Sequence, residues 1–225
     1  MRRYVDELMS SERLAKLKVV VRDGGLPGVI DVARRWMRHS DEYLRVRLDL
    51  ADHRRAANAA TSSFALVTGS GTELPALIGD ASRLPLEFCG RSPHRRFVLA
   101  MADGMPAHIT WVLLPGDKSH FMSLQPGQAE ITDSHTLSPF RGRGIYGTVL
   151  RFTLAEVAAL GITSAFAHVR PANRASLATF ARAGFTVVGC IAIHRRLGRY
   201  TVTDSGTWRS RDGSTVGGSS VGRRS

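Results

Sequence analysis

The sequence predicts an α/β (α+β) fold, a mixed and mostly antiparallel sheet flanked by helices. Three observations carry this. Phe97–Met101 and Ile109–Leu114 are apolar runs around Ala102-Asp103-Gly104-Met105-Pro106, and Asp-Gly between two such runs is a strong hairpin signal. The glycine-rich Arg141-Gly142-Arg143-Gly144 joins a strand-like run, Ala129–Leu137, to a stretch of helical period, Ile145–Leu160. From residue 97 the order is strand, strand, short strand, strand, helix, strand, helix, strand, which suits a mixed sheet and not a doubly wound dinucleotide fold.

The remaining elements follow in chain order. Leu8, Leu14, Leu17 and Val21, then Val29, Ile30, Val32, Ala33, Trp36 and Met37, recur at near-helical spacing and predict a helical N-terminal extension over residues 1–41. Leu44, Val46, Leu48 and Leu50 alternate with Arg45, Arg47 and Asp49, the period of a half-buried strand. Ala51–Ala60 fits either a helix start or a linker. Phe64–Thr68 is β-like, and Thr72 is a candidate N-cap for a helix over Glu73–Leu84 with Pro75 in its first turn. Phe121–Leu124 reads as a short strand. In Ile145–Leu160, Val149, Leu150, Leu154, Val157 and Leu160 keep the helical period and Gly161 supplies the stop. Thr163–Val169 is a β-run, Arg174–Ala183 a helix, Phe185–Ile193 a buried β-run and Tyr200–Thr203 a last strand. Asp204–Ser225, rich in glycine, serine and arginine, has little to bury and is expected to be a disordered basic tail.

Composition narrows the function classes. The 225 residues suffice for one sizeable domain with an appendage. No apolar run approaches the ~18–20 residues of a membrane span, and the charged start Met1–Leu8 has no signal-peptide core, so a cytoplasmic protein is expected. Cys89 and Cys190 cannot build a disulfide framework, and the histidines and cysteines show no metal-ligand spacing. The net charge of +12 raises a nucleic-acid partner. Yet the basic and acidic residues divide as 13 and 9 over residues 1–59, 11 and 8 over 60–193, and 7 and 2 over 194–225. The excess is spread along the chain, only three of the 31 basic residues are lysine, and a nucleic-acid partner is not favoured. A polyanionic cofactor suits the same charge.

The chemistry concentrates in Thr136–Phe185. At a strand-to-helix turn, the glycines of Arg141-Gly142-Arg143-Gly144-Ile145-Tyr146 let backbone approach an anion while N–H groups and the helix dipole favour negative charge. The run lacks the lysine and Ser/Thr of a P-loop and the spacing of a dinucleotide fingerprint. About 30 residues on, Val169-Arg170-Pro171-Ala172-Asn173 ends a strand, and Ala175, Ser176 and Phe180 lead to Gly184-Phe185. Arg141-x-x-Gly144-x-Tyr146 followed by this second signature resembles the GNAT superfamily of acyl-CoA-dependent N-acyltransferases. The resemblance spans roughly residues 42–203 and is strongest over 129–189. It would make Leu44–Leu50 the family's first strand and begin the domain near residue 42.

The resemblance implies acetyl-CoA as cofactor and an N-acetyltransferase moving acetyl to a primary amine by direct attack in a ternary complex. Its pyrophosphate would sit on the backbone of Arg141, Gly142, Arg143, Gly144, Ile145 and Tyr146. Pantetheine would run beside His135, Thr136 and Leu137; Asn173 would bond its arm, and Ser176 would lie near the thiol. Two positions depart from the pattern. Tyr146 stands where the family has glycine or alanine, so its ring must turn away from the phosphates. Phe180 stands where the family often has a tyrosine that protonates the leaving thiolate, and it has no proton to give, so Ser176, water or no dedicated acid must serve. The family often places a glutamate on the strand before the loop, which makes Glu130 the favoured base; Asp133, His135 and His168 are alternatives. In a regular strand Asp133 and His135 share one face and Glu130 takes the other, and a bulge here, which the resemblance implies, would change that parity. The acceptor is a small-molecule or protein amine. Rival readings are a non-catalytic acyl-CoA-binding module and an acyltransferase for an RNA- or ribosome-associated substrate. The N-terminal helices cap the acceptor groove, form a homodimer contact or complete the core, alternatives the sequence leaves open.

Overall fold

A computed structural model of the chain describes residues 38–50, 64–79, 95–119, 121–196, 199–204, 207–209 and 215–217. The elements are β1 (Arg38–Asp49), β2 (Ala65–Ser70), α1 (Leu74–Ile78), β3 (Arg96–Ala102), β4 (Met105–Leu113), β5 (Gln128–Thr136), α2 (Ile145–Ala159), β6 (Ser164–Val169), α3 (Arg174–Arg182), β7 (Thr186–Arg196), β8 (Arg199–Asp204), β9 (Thr207–Arg209) and β10 (Thr215–Gly217). The main sheet runs β2-β3-β4-β5-β6-β1-β7-β8, and β9 pairs with β10 separately. The chain divides into two compact units. The larger, Glu42–Ile191 with Asp204–Ser225, holds the candidate site described below; the smaller, Met1–Asp41 with Ala192–Thr203, contains the first residues of β1, the end of β7 and most of β8.

The expected hairpin forms with Asp103 at φ 54° and Gly104 at φ 75°, the left-handed pair that matches strand twist in a tight β-turn. β2 through β5 pair antiparallel. β5 then lies parallel to β6, and β6 antiparallel to β1. The period-2 alternation sorts side chains onto two faces. Phe97 and Leu99 of β3 meet α1 through Leu74 and Ile78, whereas Val98 and Ala100 pack with Ile145 and Val149 of α2. Ile131 of β5, Ala165 and Ala167 of β6 and Val46 and Leu48 of β1 bury against Leu150, Leu154 and Val157 of α2 and Phe180 of α3. Helix α2 thus sits over the centre of the sheet because its apolar stripe meets residues from three strands. Leu154 is 1% exposed, and Leu154→Ala should cost about 2–5 kcal/mol in a urea titration.

Several expectations change. The alternating run 44–50 is a strand, but it lies between β6 and β7, and the strand beside the hairpin is β2. Alternation marks a half-buried strand and carries no information about its neighbour. Phe121–Leu124 takes no strand conformation. Its Phe121 and Met122 N–H groups donate to Ser119 Oγ, a local turn competing with a ladder. Helix α1 closes at Gly79 (φ 65°), short of Leu84, and its N-cap is Glu73 in place of Thr72. Residues 38–41, expected in the helical extension, are strand. Residues 1–37 and the run 51–63 lie outside the described residues. Within 204–225, Asp204 ends β8 and 207–209 pair with 215–217.

Candidate functional site

After β5, Ser138–Phe140 form a short 3₁₀ turn whose Phe140 is buried, and the exposed run 141–144 leads into α2. Gly142 (φ 77°) and Gly144 (φ 73°) take left-handed conformations that side chains rarely adopt. The Arg141 N–H goes to Ser138 O and that of Thr148 to Gly144 O. The N–H groups of residues 142 to 147, between them, have no backbone acceptor among the described residues. Helix α2 carries no acidic residue in its first turn and no side-chain cap. Its positive end is therefore left for an external anion. Arg141 Nε donates to Thr136 O at 3.1 Å, and the Arg143 guanidinium lies 5.5 Å from the Phe140 ring centroid.

The strand feeding this loop is partly unpaired on one side. β5 and β6 pair from Gln128↔Ser164 to Ile131↔Ala167, and pairing stops there although β5 continues to Thr136 and β6 to Val169. The cause lies across the sheet. The β4–β5 register slips between Ile109 and Trp111, where Asp133 adopts φ 46°. This is a bulge, and aspartate tolerates the left-handed region better than most residues. It reverses side-chain parity, so Ser134 and Thr136 reach the α2 face. Thr136 Oγ1 is 2.6 Å from His108 Nδ1, His108 Nε2 is 2.8 Å from Thr110 Oγ1, and Thr110 donates to Ser134 Oγ at 3.0 Å. Since Thr110 spends its one hydrogen on Ser134, His108 must donate from Nε2 and accept from Thr136 at Nδ1. Burial, reinforced by the nearby His135, pushes the His108 pKa down to about 3, and the ring is neutral.

Tyr146 completes this face. Its ring stacks on His108 at 5.1 Å and meets Phe180 edge-on at 5.9 Å, turned inward from the glycine loop. Burial raises its pKa to about 12, opposed by the Ser134 side chain bonding to its hydroxyl. Phe180 is 3% exposed and also packs on Phe185; it is a core residue.

On the opposite face Glu130, 1% exposed, points away from α2. Its Oε1 lies 2.9 Å from His168 Nδ1 on β6, while Oε2 is buried with no hydrogen-bond partner among the described residues. Arg45 Nε donates to His168 Nε2 at 3.3 Å, and Arg45 pairs with Asp204 at 2.8 Å. An arginine only donates, so Nε2 is the acceptor and the imidazole proton resides on Nδ1, directed at Glu130. Phe121 stacks on His168 at 4.3 Å. With both ring nitrogens engaged, His168 has no lone pair to offer as a base. Asp133 lies 3.9 Å from Arg95 and serves the bulge.

At the end of β6, Asn173 caps α3 by accepting from the Ser176 N–H at 3.2 Å, and Ser176 is half-buried. Because β5 and β6 are parallel, α2 and α3 begin at the same end of the strand pair, where ligands of such sheets bind.

The profile of the Acetyltransferase (GNAT) family matches residues 75–185. The chain carries a GNAT acetyltransferase domain. Its fold is like that of a GCN5-related N-acetyltransferase-like protein from Streptococcus suis, at TM-score 0.51 and 10% identity, covering 80% of this chain and 69% of that one. An acetyltransferase from the GNAT family of Colwellia psychrerythraea gives 0.49 and 16%, covering 77% and 63%, and a GCN5-related N-acetyltransferase of Kribbella flavida 0.47 and 16%, covering 80% and 65%. The chain thus spans less than two thirds of the latter two. No curated protein matches the sequence.

GNAT enzymes generally use acyl-CoA, and this domain's residues fit that group. Unpaired N–H groups at 142–147, left-handed glycines and two arginines suit a pyrophosphate, and the open edge of β5 suits an amide-bearing arm. The side-chain amide nitrogen of Asn173 remains a donor, since its Oδ1 caps the helix. Among the described residues no helix is long and apolar enough to cross a membrane, and no cluster could hold a metal. Sequence reasoning overlooked His108, Thr110, Ser134 and Arg45. His108 stood in an apolar run, Ala107-His108-Ile109, the one signal that it would be buried and need partners.

Proposed function

We propose that this domain is an N-acetyltransferase that acts on a primary amine by direct attack within a ternary complex. The observation that carries it is the departure of β5 from β6 after Ile131, with the anion loop at the end of the freed strand and the buried carboxylate of Glu130 one residue before it. Acetyl-CoA, when bound, supplies an activated acetyl thioester. The N–H groups from Gly142 to Tyr146, with Arg141 and Arg143, hold its phosphates. The Thr136 and Leu137 backbone and the Asn173 amide hold the arm, and Ser176 lies toward its thiol end. Glu130 takes the amine proton at Oε2 by way of a water, since that oxygen is buried, while His168 and Arg45 fix its orientation. Proximity supplies much of the acceleration. The acceptor is a small-molecule or protein amine, and the protein works in the cytoplasm.

The test is a calorimetric titration with acetyl-CoA. Micromolar binding is expected for the native protein and none for Gly144→Glu. A Cβ at Gly144 meets nothing within 4 Å, so the variant brings charge into the loop without a clash, at about 1–2 kcal/mol for the left-handed backbone. Circular dichroism verifies its fold. A folded native protein that ignores acetyl-CoA overturns the proposal; binding then justifies a screen of amines for release of free thiol.

A further inference from the structure

The two departures from the GNAT pattern, Tyr146 and Phe180, touch each other. Tyr146 stands in the first turn of α2, whose N–H groups have no backbone acceptor among the described residues. That turn is intrinsically weak. Gly144 precedes it at φ 73°, Gly147 lies within it, and no side chain caps it. Two side chains hold it down. Ile145, 1% exposed, packs with Val98, Ala100 and Phe140. The Tyr146 ring stacks on His108 of β4 at 5.1 Å and 26°, and meets Phe180 of α3 edge-on at 5.9 Å and 90°. Both partners are themselves fixed, Phe180 by Phe185 at 4.8 Å and His108 by its hydrogen bonds with Thr136 and Thr110. The ring thus ties the donor turn to the strand beside β5 and to the helix that Asn173 caps.

We propose that the Tyr146 side chain is a positioning residue for coenzyme A, holding the first turn of α2 so that its N–H groups are aimed at the pyrophosphate before the ligand arrives. This rests on the acetyl-transfer reading, which puts the pyrophosphate on residues 141–146. The ring touches no reacting atom and moves no proton. Without it the ligand itself must order the turn, and that cost lowers affinity only for ligands that carry the phosphates. The loss should be about tenfold, the factor that two ring contacts of this kind are together worth. The contacts are made by the ring, so phenylalanine should serve at this position as well as tyrosine.

Binding alone tests this. NMR titrations of isotope-labelled protein compare coenzyme A with pantetheine, which has the same thiol arm and lacks the nucleotide. The ratio of the two affinities isolates the phosphate-bearing part, because damage to the arm's site or to the fold at large weakens both ligands alike. That ratio should fall about tenfold in Tyr146→Leu, which keeps apolar volume without a ring, and stay within about twofold in Tyr146→Phe. His108→Gln, which removes the facing ring, should lower it about threefold. An unchanged ratio in Tyr146→Leu overturns the inference, and so does an equal fall in Tyr146→Phe. If Tyr146→Leu does not fold, an unchanged ratio in His108→Gln overturns it. Failure of coenzyme A to bind the native protein is a different result: it removes the acetyl-transfer reading, and the inference goes with it.

Discussion

Replacing Glu130 by glutamine should lower kcat/KM for acetyl transfer about 10²–10⁴-fold, the range over which a positioned proton acceptor contributes, while acetyl-CoA affinity stays within about twofold. The substitution is selective because the amide oxygen can still accept from His168 Nδ1. What it removes is the acceptor at Oε2, the buried oxygen that has no hydrogen-bond partner among the described residues. An unsatisfied buried carboxylate oxygen costs about 1–3 kcal/mol or more and calls for an explanation, and a base awaiting substrate supplies one. His168 is the natural competitor for the role. Arg45 occupies its Nε2 and Glu130 receives its Nδ1–H, so it can act only by orienting the carboxylate. Steady-state kinetics with any amine that passes the screen decide the matter. Unchanged turnover in Glu130→Gln would leave the carboxylate a structural partner of His168. A loss of binding equal to the loss of rate would point to a disturbed β5 edge.

The anion loop and the hairpin were legible in the sequence because both depend on local backbone demands. Gly142 and Gly144 sit at positive φ, and Asp103-Gly104 needs two left-handed residues in succession. The core of α2 was legible for a similar reason, since Val149, Leu150, Leu154 and Val157 recur at helical spacing and are all buried. Long-range pairings left no such trace. Glu130 and His168 are 38 positions apart, and they meet only because β5 and β6 lie parallel with Glu130 opposite Phe166. The place of β1 between β6 and β7 depends on which strand edges stay open, a property of the whole sheet. The bulge was expected from family resemblance alone, since aspartate at 133 is compatible with strand and left-handed turn alike. It decides the most, because the parity change sends Thr136 to His108 and Ser134 to Thr110, and leaves Glu130 on the other face.

That buried imidazole gives the fold an acid weakness that should be measurable above the range where carboxylates titrate. His108 is 1% exposed, and burial first, then the neighbouring His135, lower its pKa from 6.5 to about 3. Below pH 6.5 the unfolded chain takes up a proton at this position that the native chain refuses. Stability is therefore fully present above pH 6.5 and falls as pH drops toward about 3, by about 1.4 kcal/mol for each pH unit. Between pH 7 and 5 the loss from this residue is about 2 kcal/mol. The window matters because the Glu73 carboxylate, whose pKa is lowered by the Ser70 N–H and hydroxyl, adds a loss of the same sign only at lower pH. Urea midpoints at pH 7 and 5 should converge in His108→Gln, which keeps polar atoms for Thr136 and Thr110 but cannot titrate. At pH 7 the variant should be weaker by about 1–3 kcal/mol, since an amide spans the two hydroxyls less well than an imidazole. Equal pH slopes in the two proteins would mean that His108 is protonated in the fold. The donor order from Thr136 to Ser134 would then be lost, because a charged ring has no nitrogen left to accept from Thr136.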